Sequence, residues 1–289
     1  MLALDLITLA PLMAITRGRS DVRIGLIDGP VLIDHVDLRD ARIRQIGRGT
    51  GTTCSMSSSA ACVHGTFVAG ILSASRHSTA PAICPGCTLL VRPIFVETAS
   101  TPSATPTELA AAIIDCIDAG AHVINLSLGL ARLSSNEENA LDEALNHALK
   151  RGVIVVAAAG NQATLGSSPI TRHSWVISVA ACDLQGRPTH ESTIGRSIGR
   201  RGLSAPGDGV TSLGCQSQPL TLGGSSVAVP FVTGTIALLY SLFPQLSAAW
   251  IRFAITHSTK ARQATVVPPL LDAAAAFQFL STTTTARAA

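Results

Sequence analysis

The sequence predicts an α/β fold with a mostly parallel central sheet and helices on both faces. Three observations carry this. Short runs rich in Val and Ile recur along the chain without polar alternation, the pattern of strands buried on both faces. Segments with apolar residues at i, i+3 and i+4 separate them, as in helices that cover a sheet. The chain has 289 residues and is 47% apolar, enough for one large core near the upper limit for a single domain.

Taken in order, Met1-Leu2-Ala3-Leu4-Asp5-Leu6 is apolar but carries Asp5 and lacks a basic start. It reads as a short amphipathic helix capping the domain rather than as a signal peptide. It opens an N-terminal extension over residues 1–20 of a single domain spanning 1–289. Residues 22–27 are an apolar run ending at Asp28, a buried strand. His64 opens a helix with Val68, Ile71 and Leu72 on one face, and residues 89–95 form the next strand. Thr107 caps a helix whose face is Ala110, Ile113, Ile114 and Ile117, and Gly120 stops it. Residues 123–128 are a strand. Asn136 caps a helix that buries Leu141, Ala144, Leu145 and Ala148 and stops at Gly152. Residues 153–157 and 175–180 are strands, and a last long helix runs from Ser226 to about Phe243, with Pro230 in or near its first turn. Three loops, 50–59, 98–107 and 212–221, are rich in small polar residues. The low-complexity tail 281–289 is expected to be disordered. No internal repeat or linker divides the chain.

Composition excludes several functions. Charged residues are 13% and the net charge is +3, dispersed except for Arg196, Arg200 and Arg201, which read as a solvated loop. Aromatics are only 3%. A nucleic-acid surface needs more charge and more stacking rings, so no nucleic-acid partner is expected. No run of 18 apolar residues occurs, so no membrane span is expected. No Asp-rich loop of EF-hand type is present, and neither metal nor cofactor is expected. The chain has 7 cysteines. Cys116 and Cys182 lie in apolar segments and read as small core residues. Cys84-Pro85-Gly86-Cys87 has CxxC spacing, but no second pair or histidines at finger spacing accompany it, so it reads as a loop disulfide or plain thiols rather than a zinc site. Cys54 and Cys62 flank a Ser-rich loop and are able to pair. The expectation is a cytoplasmic, mostly reduced protein, with secretion as the alternative.

Four short segments carry the chemistry. Ile27-Asp28-Gly29 places a carboxylate at the C-terminal edge of the first strand, where active sites of open α/β sheets lie. Val63-His64-Gly65-Thr66-Phe67-Val68-Ala69-Gly70 offers an imidazole on a helix of small residues that packs closely on neighbouring backbone. Gly224-Ser225-Ser226-Val227-Ala228-Val229-Pro230 offers a hydroxyl at a helix N-terminus, whose free N–H groups suit an oxyanion. Ala157-Ala158-Ala159-Gly160-Asn161 offers a side-chain amide after a strand. Serine is a weak nucleophile that needs an imidazole to take its proton, and the imidazole needs a carboxylate to fix its tautomer. Each segment alone has an ordinary reading: an Asp-Gly turn, a helix-cap histidine, a serine N-cap, an Asn turn. On local grounds Ser225 competes with Ser226.

Together the segments resemble those of the subtilisin-like serine proteases, the subtilases, in their Asp, His, Ser order. His64-Gly65-Thr66-Phe67-Val68-Ala69-Gly70 resembles the family's histidine segment, with Phe67 where a second His is usual. Gly224 to Pro230 resembles the Gly-Thr-Ser-Met-Ala-x-Pro segment, with Ser225 at the Thr and Val227 at the Met position, and this register makes Ser226 the nucleophile. The resemblance runs from about residue 20 to 260 and implies a subtilisin-like three-layer fold. It implies that His64 is general base and then acid and that Asp28 orients it. Asn161 and the Ser226 N–H would hold the oxyanion. Ser127-Leu128-Gly129 resembles the strand that pairs with substrate backbone, and Leu203-Ser204-Ala205-Pro206-Gly207 resembles the family's Ala-Pro-Gly turn. Fewer than 30 residues precede Asp28, so no inhibitory prodomain is expected, as fits an intracellular enzyme or a mature form.

A narrower resemblance is to cyanobactin-type maturation proteases, which trim ribosomal precursor peptides. It rests on Thr16-Arg17-Gly18, Ile27-Asp28-Gly29-Pro30-Val31 and the segment from Cys87 to Phe95. Macrocyclising members resemble subtilases with a helical insertion between Asp and His. Here that interval is 64 − 28 = 36 residues with no helical periodicity in its Ser-rich loop, which argues for hydrolysis. The expected activity is therefore a serine endopeptidase acting on a precursor peptide between leader and core. A macrocyclase, a secreted degradative protease and a peptide-binding pseudoprotease are the alternatives.

Overall fold

The computed structural model describes residues 2–47, 54–97, 104–128, 135–216, 218–257 and 265–288. The N-terminal residues form two short helices, α1 (Leu2–Leu6) and α2 (Ala10–Ile15). They dock on the domain, with Ile7, Leu9 and Leu12 buried in the main core. Strand β1 (Arg23–Asp28) follows, then β2 (Arg42–Gln45), α3 (Ala60–Ser73) and β3 (Thr88–Pro93). Next come α4 (Pro106–Asp118), β4 (Val123–Leu126), α5 (Ser135–Arg151), β5 (Ile154–Ala158) and the short α6 (Pro169–Arg172). The chain continues through β6 (Ile177–Cys182), α7 (Arg196–Arg201), β7 (Leu203–Pro206) and the pair β8 (Val210–Ser212) and β9 (Leu220–Leu222). It ends with α8 (Ser225–Leu242), α9 (Ala248–His257) and α10 (Ala273–Ala288).

Seven strands form one parallel sheet in the order β2-β3-β1-β4-β5-β6-β7, and β8 and β9 form a separate antiparallel pair. Strands β4, β5 and β6 are buried at every position, as expected for continuous Val/Ile runs covered on both faces. Helices α3 and α8 pack on each other and on one side of the sheet, while α4 and α5 pack on each other and on β1, β3 and β5. Strand β1 has β3 on one side and β4 on the other, so sheet building reverses there. A crevice opens at the C-terminal end of such a strand, and Asp28 occupies that end.

Several boundaries differ from the sequence expectation. Helix α3 starts four residues before His64, because Ser59 caps it by accepting the Cys62 N–H. Helix α4 is capped by Thr105, not Thr107: Thr105 and Glu108 form a reciprocal capping box, with Pro106 in the first turn. Asn136 lies inside α5, which begins at Ser135. Instead of a disordered tail, residues 281–288 continue α10, where the hydroxyls of Thr283 and Thr284 bond the carbonyls four residues back and Leu280 anchors the helix in the core. Helix α8 is long and apolar enough by composition to cross a bilayer, but 89% of it is buried inside the protein. Cys54 is joined to Cys62 by a disulfide, whereas Cys84, Cys87, Cys116 and Cys182 are buried free thiols.

Candidate active site

Three adjacent parallel strands, β1, β4 and β5, end at the same edge of the sheet. Asp28 is the last residue of β1, Ser127 follows β4, and Asn161 lies three residues past β5. The N-terminus of α8 reaches this edge too, because the Gly224 N–H donates to the Gly207 carbonyl (2.7 Å). Gly224 caps α8 with φ of +117°, a conformation that other residues rarely adopt.

Helix α3 brings His64 to Asp28 only because glycines allow the approach. A Cβ on Gly65 would stand 2.6 Å from the Pro30 carbonyl oxygen, and one on Gly29 would overlap the Ala61 carbonyl oxygen. With this contact made, His64 Nδ1 lies 2.7 Å from Asp28 Oδ1, and His64 Nε2 lies 3.1 Å from Ser226 Oγ. Asp28 is fully buried, and Oδ1 also accepts the Gly29 N–H at 2.7 Å. Among the described residues, no donor reaches Oδ2. The carboxylate therefore spends its acceptor strength on one backbone donor and the imidazole. Burial pushes the His64 imidazole down, but the charge of Asp28 and its hydrogen bond outweigh this and leave the group above its ordinary value.

The two adjacent serines part ways. Ser225 is buried, and its hydroxyl accepts the Gly160 N–H (3.2 Å) and donates to Asn161 Oδ1 (2.8 Å). Ser226 is half-buried, with its hydroxyl against His64. The two hydroxyls thus have different partners: that of Ser226, and not that of Ser225, faces the imidazole. Asn161 Oδ1 also accepts the Ser225 N–H at 2.8 Å. Both contacts use the amide oxygen, so the Asn161 nitrogen is left to donate in front of the α8 N-terminus.

Ser127 has a contact that strand-edge reasoning did not foresee. Pro230 sits inside α8 and has no N–H, so the Ser226 carbonyl four residues earlier loses its helical donor. The Ser127 hydroxyl fills the gap, donating to the Ser226 carbonyl at 2.8 Å. Ser127 Oγ in turn accepts from Asn125 Nδ2 (2.8 Å), and Asn125 Oδ1 accepts from the Thr233 hydroxyl (2.9 Å). Asn125 and Thr233 are fully buried. Sequence reasoning passed over both, although an amide within the apolar run Val123-Ile124-Asn125-Leu126 was the available signal. Leu128 is buried beside Ser127. Gly129, expected to complete the substrate-pairing strand, lies outside the described residues.

A buried carboxylate, an imidazole and a half-exposed hydroxyl in one hydrogen-bonded line, next to an amide and a helix N-terminus, form a set able to perform acyl transfer. The comparisons agree with this chemistry. Residues 19–274 match the model of the subtilase family. The thermostable alkaline protease of Halalkalibacterium halodurans is 33% identical over 196 residues, 68% of this chain and 52% of that protein, so the match spans about half of that relative's length. Among solved structures, the protease domain of PatA superposes with a TM-score of 0.83 at 28% identity, covering 92% of this chain and 97% of that one. The prenylagaramide maturation protease PagA gives 0.81 at 26%, covering 94% and 98%. The cyanobactin-type likeness read from the sequence is thereby borne out. The chain belongs to the subtilase family of serine proteases.

Proposed function

We propose that this subtilase is an endopeptidase that cleaves a ribosomal precursor peptide between leader and core, using Asp28, His64 and Ser226. The unbroken line from Asp28 Oδ1 through His64 to Ser226 Oγ carries the reading, at 2.7 and 3.1 Å. In it, Ser226 attacks the scissile carbonyl while His64 takes its proton, and His64 then returns that proton to the leaving amine. Asp28 holds the imidazole tautomer and stabilises its cation. Asn161 and the Ser226 N–H receive the oxyanion. The peptide lies extended along Ser127, Leu128 and Gly129. The likeness to PagA, a maturation protease by name, supports the choice of substrate.

Hydrolysis is favoured over macrocyclisation by the interval between Asp28 and α3. Among the described residues it holds only β2 and a single three-residue 3-10 turn, Val36–Leu38, and no helical insertion. The site of action in this reading is the cytoplasm, where a ribosomal precursor is made. The test is incubation with candidate precursor peptides followed by mass spectrometry. Cleaved core and leader whose summed mass exceeds the precursor by one water support the reading. A product that retains the precursor's atoms without added water indicates transpeptidation. No cleavage of any precursor alongside digestion of unfolded protein points to a degradative enzyme, and no covalent capture of Ser226 by a fluorophosphonate points to a pseudoprotease.

A further inference from the structure

Three of the cysteines, none of them part of the catalytic line, meet at one point. Cys54 lies in the loop before α3, Cys62 in the first turn of α3, and Cys215 in the connection between β8 and β9. Cys54 and Cys62 are bonded, Cys62 Sγ lies 3.6 Å from Cys215 Sγ, and all three sulfurs lie within 4.8 Å of one another. A disulfide needs two sulfurs. A third sulfur in contact with it can exchange with the bond when the pair is oxidised, and when the pair is reduced it gives three thiols at one point. Thiolates around a tetrahedral zinc, at about 2.3 Å from the metal, lie about 3.8 Å from each other. The Cys62–Cys215 pair is already close to that spacing, and Cys54 has only to draw back from Cys62 once their bond is reduced.

The surroundings suit such a site. Cys62 is fully buried in the first turn of a 14-residue helix, where the helix dipole favours a thiolate. Its N–H is held by Ser59 Oγ at 3.1 Å. The Cys54 loop has an anchor besides the disulfide, since Glu97 accepts the N–H groups of Ser55 (3.0 Å) and Met56 (2.9 Å). Cys215 is only half-buried, which leaves an entry path and room for a fourth ligand from solvent. Three separate segments converge, as expected of a site that ties loops together.

We propose that the reduced protein binds one thiophilic divalent cation, zinc being the first candidate, through Cys54, Cys62 and Cys215, with water as fourth ligand. A dithiol reductant supplies the two electrons and two protons that open the Cys54–Cys62 bond and itself becomes a disulfide. The three thiols then release three protons as their sulfurs bind the cation. The loaded site clamps the loop before α3, the start of α3 two residues upstream of His64, and the β8–β9 connection. This inference does not depend on which peptide the enzyme cleaves.

Cobalt tests it, because thiolate ligands give Co²⁺ an intense near-ultraviolet charge-transfer band that His64 or carboxylate ligands do not. Reduced protein titrated without oxygen should take up one Co²⁺ per chain with that band, and Zn²⁺ should displace it. Oxidised protein should show no band. Cys215→Ser and, separately, Cys54→Ser should each weaken binding by about 100-fold or more, while circular dichroism shows the fold retained. The double variant Cys84→Ser/Cys87→Ser should bind like wild type. The proposal is overturned if reduced wild type gives no band at stoichiometric metal, if either single variant binds as tightly as wild type, or if the band is lost in a Cys84/Cys87 double variant whose circular dichroism shows the fold retained.

Discussion

Removing one hydroxyl, in Ser127→Ala, should cost far more stability than a surface substitution. The Ser127 hydroxyl bridges two groups that have no alternative. It donates to the Ser226 carbonyl and accepts from Asn125 Nδ2, each at 2.8 Å. Pro230 cannot restore the first bond, because it has no N–H to offer its own i−4 carbonyl. Asn125 is fully buried and Ser127 is 4% exposed, so water does not readily take over. Each of the two buried groups left unpaired costs about 1–3 kcal/mol, which gives a loss of about 2–6 kcal/mol out of a total of about 5–15. For a chain of this size that corresponds to a fall in Tm of about 3–10 °C. The measurement is calorimetry in a Ser226→Ala background, which prevents self-digestion. The cause is separable: Pro230→Ala supplies the missing N–H, so the double variant should recover part of the Ser127→Ala loss. A loss below about 1 kcal/mol, or strict additivity in the cycle, would refute the bridging role.

The remaining predictions concern catalysis and the disulfide. Ser226→Ala should abolish peptidase activity and fluorophosphonate capture, whereas Ser225→Ala should keep measurable activity; the opposite result would reassign the nucleophile. Asn161→Ala should lower kcat by about 10²–10³, the loss known for such a donor in subtilisin, with little change in KM; a raised KM at constant kcat would withdraw the oxyanion role. Because Asp28 lifts the His64 imidazole above 6.5 and the base works only when neutral, kcat/KM should rise with pH along a limb centred above 6.5. Asp28→Asn should move that limb down and cut kcat by up to about 10⁴, and a wild-type midpoint below 6.5 would contradict the geometry. The same shift contributes stability that is present below 6.5 and lost as pH rises through the folded-state value. The Cys54–Cys62 bond closes a sequence separation of 8, worth about 2–3 kcal/mol by loop entropy. Reduction in the presence of a chelator should therefore lower Tm by about 3–5 °C and leave activity at 25 °C nearly unchanged, and a loss of activity at that temperature would show that the bond shapes the site.

What the sequence determined by itself was whatever local pattern encodes. Unbroken Val/Ile runs, such as Val153 to Ala157, can be covered only on both faces, which dictates a parallel sheet between helical layers. The order of the four motifs pointed to the family that residues 19–274 match, and the register of Gly224 and Pro230 made Ser226 the expected nucleophile. The tertiary structure decided what depends on partners distant in the chain. Ser59 and Thr105 set where α3 and α4 begin, through hydrogen bonds that their neighbours Thr107 and His64 do not make. The tail beyond Leu280 is helical because α10 is docked by that residue, although its Thr-rich composition favours no helix. The link from Thr233 through Asn125 and Ser127 to the Ser226 carbonyl spans 108 and 99 residues of sequence. Cys62 and Cys215 are 153 apart. No spacing rule relates residues so far apart. The first set meets because β4 ends at the edge of the sheet to which α8 returns, and the cysteines meet because α3 packs against β8, contacts that only the folded chain makes.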